Sequence, residues 1–253
     1  MKLEGTVAVV TGASRGLGKD VADALESRGA RVAAVARGAD RFRCDVSRLD
    51  EVERLKAQVE AELGPPQILV NAAGVFGPVE PPTRADPERW VKTITVDLVG
   101  PYLTCRAFAA GMVERGWGRI VNVTSAASLH PPGALGSAYA TAKAGLNQLT
   151  RHLASELAGT GVTANVIHPG DVKTEMWADI RDQALRLGPE GEALRQWVDW
   201  VEETGGDPPQ KAVDLVERIL ESDVNGQFLW IEEPLQPPIP SWGDDAELQP
   251  WRR

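Results

Sequence analysis

Short apolar runs alternate with helix-periodic segments from the first residues onward. Val7–Val10 reads as a buried strand, followed by a glycine-rich turn and an apolar-periodic helix from about Leu17 to Arg28, which Gly29 closes. Arg31–Ala36 is the next strand and Arg41–Cys44 a weaker one. A helix from about Leu49 to Leu63 ends at Gly64-Pro65-Pro66, and Ile68–Val70 is a clear strand. A single long helix is expected from about Pro87 to Arg115, with Asp86 as N-cap and Pro87 at its first position. The pattern continues with strand Ile120–Val123, helix Ser137–Ala158 and strand Thr163–Ile167. A Trp-rich helical stretch, Glu175 to Glu203, long enough for two short helices, leads to helix Pro208–Glu221 and a last strand, Gln227–Ile231. Strands joined through helices need crossover connections. The expected fold class is therefore α/β, a single-domain doubly wound parallel sheet of Rossmann-like form with helices on both faces. The domain is expected to span residues 1–231, and 232–253, with five Pro and two Trp, reads as a C-terminal arm or a disordered tail.

Composition narrows the chemistry. With 27 Lys+Arg against 36 Asp+Glu the net charge is −9, and no basic run offers a nucleic-acid surface. No apolar stretch is long enough to span a membrane, and the start carries no signal-peptide pattern, so a cytoplasmic protein is expected. Cys44 and Cys105 stand far apart without C-x-x-C spacing, and His130, His152 and His168 lack metal-ligand spacing. No metal is expected; an organic cofactor must carry any difficult chemistry.

The turn after the first strand reads TGASRGLG, Thr11 to Gly18. Glycines there let backbone approach a pyrophosphate, whose charge meets a helix N-terminus. Gly12, Ser14, Arg15, Gly16, Leu17 and Gly18 are the expected contacts. The second strand ends at Ala36, where NAD-binding folds carry an acidic residue for the ribose 2′-hydroxyl. Here Arg37 follows and Arg15 lies in the turn. Two guanidinium groups without a carboxylate suit a 2′-phosphate, so NADP(H) is favoured over NAD(H). Arg41 and Arg43 are within sequence reach of the same phosphate; all four also read as ordinary surface arginines.

Farther on come Asp45-Val46, Asn71-Ala72-Ala73-Gly74, Ser125, Tyr139-x-x-x-Lys143 and the segment Pro169 to Thr174. In this order the residues resemble the short-chain dehydrogenase/reductase family of the compact single-domain type, over about Leu3 to Ile231. The chemistry also follows from the residues themselves. Tyr139 and Lys143 are one helical turn apart, and an ammonium beside a phenol is expected to pull its pKa below about 10. Such a tyrosine exchanges a proton with a carbonyl or alcohol oxygen, and Ser125 can hydrogen-bond that oxygen as it gains charge. Thr124 is the alternative hydroxyl. The loop 130–133 absorbs one residue more than the family's usual spacing between serine and tyrosine.

The resemblance implies further roles. Lys143 contacts the nicotinamide ribose, Asp45 and Val46 touch the adenine, and Asn71 and Gly74 line the cofactor groove. Pro169, Gly170, Val172 and Thr174 lie by the carboxamide, Thr174 reading also as a helix N-cap. It implies a small-molecule carbonyl or alcohol substrate and a homodimer or homotetramer. The substrate lid falls at about 175–206, where Trp177, Trp197 and Trp200 favour a bulky apolar substrate if they line the pocket; Trp197 and Trp200, three apart, should share a face. Arg115 and Arg119 are the cations that could offer an acyl carrier a surface contact.

Departures from the family pattern matter too. Asp97 stands where the family has Asn in a water-linked proton relay. It is expected to keep the relay through its main-chain carbonyl and shift the pH profile through its carboxylate, or else to be a structural hydrogen-bonding residue. The segment between Arg37 and Asp45 is too short for the usual crossover helix, as in some NAD-dependent relatives that oxidise cyclic dihydrodiols. The leading expectation is an NADP(H)-dependent oxidoreductase of ketones and secondary alcohols. The alternatives are an NAD-dependent dehydrogenase of a cyclic alcohol or dihydrodiol, and a non-catalytic cofactor-sensing or scaffold protein.

Overall fold

A computed structural model describes residues 3–129 and 135–231. The arm at 232–253 and the loop 130–133 lie outside the described residues. Seven strands form one parallel sheet: β1 (Val7–Thr11), β2 (Arg31–Ala36), β3 (Phe42–Arg43), β4 (Ile68–Asn71), β5 (Gly118–Val123), β6 (Val162–His168) and β7 (Phe228–Trp230). Their spatial order is β3-β2-β1-β4-β5-β6-β7, every neighbouring pair parallel. The chain runs outward from β1 to β3, then returns to place β4 on the other side of β1. That reversal opens a crevice beyond the carboxyl ends of the strands, where doubly wound folds bind ligands.

Alternation along each strand sorts the apolar residues between two faces. Val7 and Val9 point into one core with α2 (Leu49–Glu62) and α4 (Gly100–Glu114), against Leu55, Phe108 and Met112. Ala8 and Val10 point into the other, against α1 (Gly16–Ser27) and α8 (Pro209–Leu220), where Leu25, Leu215 and Ile219 are buried. Sealing both faces is why these strands read as unbroken apolar runs. Each fully buried aliphatic side chain contributes about 1.5–3 kcal/mol.

Two local expectations are corrected. The helix expected from Pro87 to Arg115 is two helices, α3 (Pro87–Ile94) and α4, joined by a π-type turn at Thr95–Val99. Asp86 caps α3 as expected, accepting from Arg89 N–H at 2.9 Å. The interruption has a cause in sequence: Pro101 has no N–H and cannot close the α-helical bond to the Asp97 carbonyl. The Trp-rich stretch, by contrast, forms the two short helices its length allows, α6 (Glu175–Ala184) and α7 (Glu192–Thr204). Arg119 is not a surface cation: it is buried on β5, and its guanidinium reaches Asp223 at 2.8 Å. Arg115 is exposed, but its guanidinium donates to the Pro66 carbonyl at 2.7 Å.

Candidate active site

The crevice is a cleft of about 1350 Å³ running across the switch between β1 and β4. At its floor the glycine turn leaves β1 and enters α1. Gly12 has φ +71°, and a β-carbon there would lie 2.7 Å from Ala73 backbone atoms. One at Gly18 would lie 2.4 Å from the Gly12 carbonyl oxygen, so only hydrogen fits at either place. Arg15 precedes α1 with extended backbone and provides no side-chain cap, and the first turn holds no acidic residue. The first N–H groups of α1 thus lack the usual side-chain acceptor at a helix start that lines the cleft, an arrangement suited to an anion. The residues present fit the pyrophosphate of a dinucleotide.

Ser14, Arg15, Leu17, Arg37, Asp45 and Val46 all line this end. Arg15 and Arg37 are exposed, and neither takes part in an ion pair among the described residues. Asp45 accepts from the Ser47 hydroxyl at 2.6 Å, and its carboxyl titrates below the usual range; burial opposes that, but the Ser47 bonds and nearby Arg37 outweigh it. Arg41 turns away to Glu62 at 2.8 Å, and Arg43 does not line the cleft, so both drop out as phosphate contacts. Asn71 is corrected as well. Its side chain points into the interior, donating to Asn122 at 2.8 Å and accepting from Thr104 at 2.7 Å, while Ala72, Ala73 and Gly74 form the groove wall.

At the far end, α5 (Ser137–Glu156) presents Tyr139 and Lys143 on one face, as their spacing predicted. Ser125, just beyond β5, lines the cleft, and its hydroxyl helps to lower the Tyr139 pKa. Thr124 is instead buried with its hydroxyl on Asn147 at 2.6 Å, which leaves Ser125 as the hydroxyl facing the cavity. The Lys143 ammonium donates to the Val123 carbonyl at 3.0 Å and meets an Asp97 carboxylate oxygen at 3.2 Å. The other Asp97 oxygen accepts from Val75 N–H at 2.9 Å.

Burial, with this carboxylate adding to it, reverses the expected tyrosine shift. Burial raises the Tyr139 pKa above its usual value; Lys143 and Ser125 pull it down, but Asp97 pushes it up again, and the net direction is upward. Burial opposes the charge of Lys143, yet Asp97 and then Tyr139 outweigh it and hold the ammonium above its ordinary range. Burial also raises Asp97, against Lys143 and the Val75 N–H. Within the Tyr139–Lys143 pair alone the ammonium does lower the phenol, but burial first and the Asp97 carboxylate second outweigh it.

The remaining wall comes from the segment after β6 and from α6 and α7. Pro169, Gly170, Val172 and Thr174 line the cleft, and Thr174 does cap α6, accepting from Trp177 N–H at 3.4 Å. Trp177 and Trp197 both border the cavity; Trp200 does not, and it is 47% exposed. Positions three apart on a helix are offset by about 60°, enough here to put Trp197 at the cavity wall and Trp200 outside it. Trp197 is held by its indole N–H, which donates to Asp171 at 3.2 Å. Other wall residues escaped the sequence reading: Phe76, whose ring lies 4.9 Å from that of Tyr139, and His168, edge-on to Trp230 at 4.9 Å. Leu135, also in the wall, holds φ +79°, a costly conformation for a non-glycine residue. The hydrophobic pattern of the sequence flagged none of these, since each reads as ordinary core.

The family model described as short chain dehydrogenase matches residues 6–185. A D-threitol dehydrogenase from Mycolicibacterium smegmatis is 37% identical over 218 residues, covering 78% of this chain and 80% of its own. A 2,3-dihydro-2,3-dihydroxybenzoate dehydrogenase from Bacillus subtilis is 35% identical over 198 residues, covering 70% and 75%. Among solved structures, an actinorhodin polyketide ketoreductase variant with NADPH aligns with a TM-score of 0.79 at 29% identity, covering 91% of this chain and 96% of that one.

Proposed function

The chain belongs to the short chain dehydrogenase family and is an oxidoreductase, and from that premise we propose that it uses NADP(H) to interconvert a ketone and a secondary alcohol. The observation that carries this reading is the convergence of Ser125, Tyr139 and Lys143 at one end of a cleft whose other end is an uncapped helix start between glycines. When bound, the nicotinamide supplies or accepts the hydride at the carbon of the C–O group. Everything else falls to this chain's residues.

In reduction, the Tyr139 hydroxyl gives its proton to the carbonyl oxygen, and Ser125 hydrogen-bonds that oxygen as it becomes an alcohol. In oxidation, the Tyr139 oxygen takes the alcohol proton back. Lys143 holds its ammonium beside the phenol and would contact the ribose of a bound nicotinamide. The main-chain carbonyl of Asp97, denied its α-helical donor by Pro101, serves the proton relay. Asp45 and Val46, at the nucleotide end, would border the adenine, and Gly74, Pro169, Gly170, Val172 and Thr174, which also line the cleft, would hold the rest of the cofactor. Arg15 and Arg37, exposed and unpaired, support the 2′-phosphate preference. The segment at about 175–206 acts as substrate lid, and Phe76, Trp177 and Trp197 favour a bulky, apolar, cyclic or aromatic substrate.

A second reading rests on a specific feature. β3 is two residues long and no helix separates it from β2, which leaves the adenine side open, and a dihydrodiol dehydrogenase is among the relatives. That reading is an NAD-dependent dehydrogenase of a cyclic alcohol or dihydrodiol. Titrating the purified protein with NADPH and NADH decides between them, followed by cofactor consumption over a panel of cyclic ketones and diols. Tighter binding of NADPH with ketone-dependent consumption is the expected result. Preferential NADH binding transfers the conclusion to the second reading, and full turnover by Tyr139→Phe overturns both.

A further inference from the structure

Most buried polar side chains near the cleft pair with neutral partners: Asn71 with Asn122, Asn122 with Thr150, Thr124 with Asn147. Asp97 does not. Its side chain is 0% exposed and that of Lys143 5% exposed, so the pair is largely withdrawn from solvent although Lys143 borders the cleft. The π-type turn delivers the carboxylate to this place, and the Val75 N–H fixes one of its oxygens. The Lys143 ammonium is thereby held between Asp97 and the Val123 carbonyl, 5.4 Å from the centre of the Tyr139 ring.

We infer that Asp97 is a positioning residue that turns the Lys143 cation into one half of a neutral pair, so that Tyr139 faces little net positive charge and the site favours carbonyl reduction over alcohol oxidation at neutral pH. The inference rests on the proposed role of Tyr139. Reduction begins with the phenol: its O–H bond breaks as the substrate oxygen gains the proton and the carbonyl carbon gains hydride from the reduced nicotinamide. Oxidation begins with the phenolate, which takes the alcohol proton as hydride leaves for the oxidised ring. A carboxylate beside the ammonium stabilises the first starting state relative to the second.

The surroundings leave this assignment to few groups. Asp97 from the turn, with Tyr139 and Lys143 from α5, are the charged or titratable side chains that bear on one another. The loop after β4 contributes the Val75 N–H, and β5 with the residues just after it contributes the Val123 carbonyl and the Ser125 hydroxyl. The charged residues on α3 and α4, which pack against the turn, are Glu88, Arg89, Lys92, Arg106 and Glu114, all exposed. The upward direction of the Tyr139 shift agrees with the geometry.

The chain has two tyrosines, and Tyr102 is 47% exposed on α4, so Tyr102→Phe leaves a protein with one phenol to observe. Its phenolate absorbance is expected to rise only above the pH of about 10 at which free tyrosine titrates. Adding Asp97→Asn, which keeps an oxygen for the Val75 N–H, should move that transition to lower pH. In the otherwise native enzyme the same substitution should raise kcat for alcohol oxidation at pH 7 by about three- to tenfold, with reduction changed less than about twofold. A transition at or below about 10 in the Tyr102→Phe protein overturns the inference, even if the Asn variant fails to fold. So does a transition that Asp97→Asn leaves in place or raises. Turnover that survives Tyr139→Phe removes the underlying mechanism instead, so the two failures are told apart.

Discussion

At the nucleotide end of the cleft the charged groups, Arg15 and Arg37, stand exposed in the turns after β1 and β2. At the reaction end Asp97 and Lys143 are enclosed, with side chains 0% and 5% exposed. The first pair is screened by water and salt, and its fields fade within roughly 10 Å at ordinary ionic strength. It can discriminate between ligands but contributes little to the fold. The second pair interacts in a poorly screened interior, where removing one partner strands the other. Charge on the rim selects; charge in the interior sets proton affinity and holds structure together. Charged side chains serve both ends, and burial decides which job they do.

Six substitutions, one of them made on top of another, sharpen or break that contrast. Tyr139→Phe should lower kcat by about 10²–10⁴-fold, the usual worth of a positioned proton donor, while NADPH affinity stays close to native by fluorescence titration. A parallel loss of affinity would mean that the two ends are not separable. Lys143→Met should also abolish most activity, and it should lower the unfolding free energy in urea by about 3–5 kcal/mol because Asp97 is left buried without its cation. Adding Asp97→Asn to that variant should recover part of the loss, and a double variant no more stable than the single one would argue against the pair as the cause. Arg37→Gln should weaken NADPH binding about tenfold and leave NADH binding unchanged, in keeping with the loss of one charged hydrogen bond of about 1.5–3 kcal/mol partly screened by water. Equal loss for both cofactors would place the 2′-phosphate elsewhere. The smallest effect is expected of Trp200→Ala, within about 0.5 kcal/mol of native stability, because this indole lies outside the cleft. Trp197→Ala should by contrast raise KM for a bulky ketone.

The elements that could be read from sequence were those whose determinants are local. The runs Val7–Val10 and Ile68–Val70 became strands because alternate residues meet apolar helices on opposite faces. The glycine turn was legible because its backbone tolerates no side chain at Gly12 or Gly18. Ser125, Tyr139 and Lys143 were legible as a set through order and spacing, and they do converge. What escaped depends on contacts between distant segments. Asp97 meets Lys143 across 46 positions of chain, and nothing in either neighbourhood announces that the carboxylate is dry. Asn71 sits at the end of a strand that borders the groove, but its side chain turns inward to Asn122 and Thr104. Trp197 and Trp200 share a helix, but only the position of Asp171 explains which indole enters the cavity. The π-type turn had a local sign in Gly100-Pro101, outweighed by the apolar periodicity on either side of it.

Gly100 opens α4 directly after that turn, and a β-carbon on it would come within 2.9 Å of a methyl of Val46. Three residues upstream is Asp97, and Val46 itself borders the nucleotide end. Close-packed interiors have little slack to absorb such an intrusion. The two ends of the enzyme are therefore hinged on a single hydrogen atom: an engineer who enlarges Val46 or Gly100 to retune coenzyme choice will also be adjusting the proton chemistry, whether or not that was the aim.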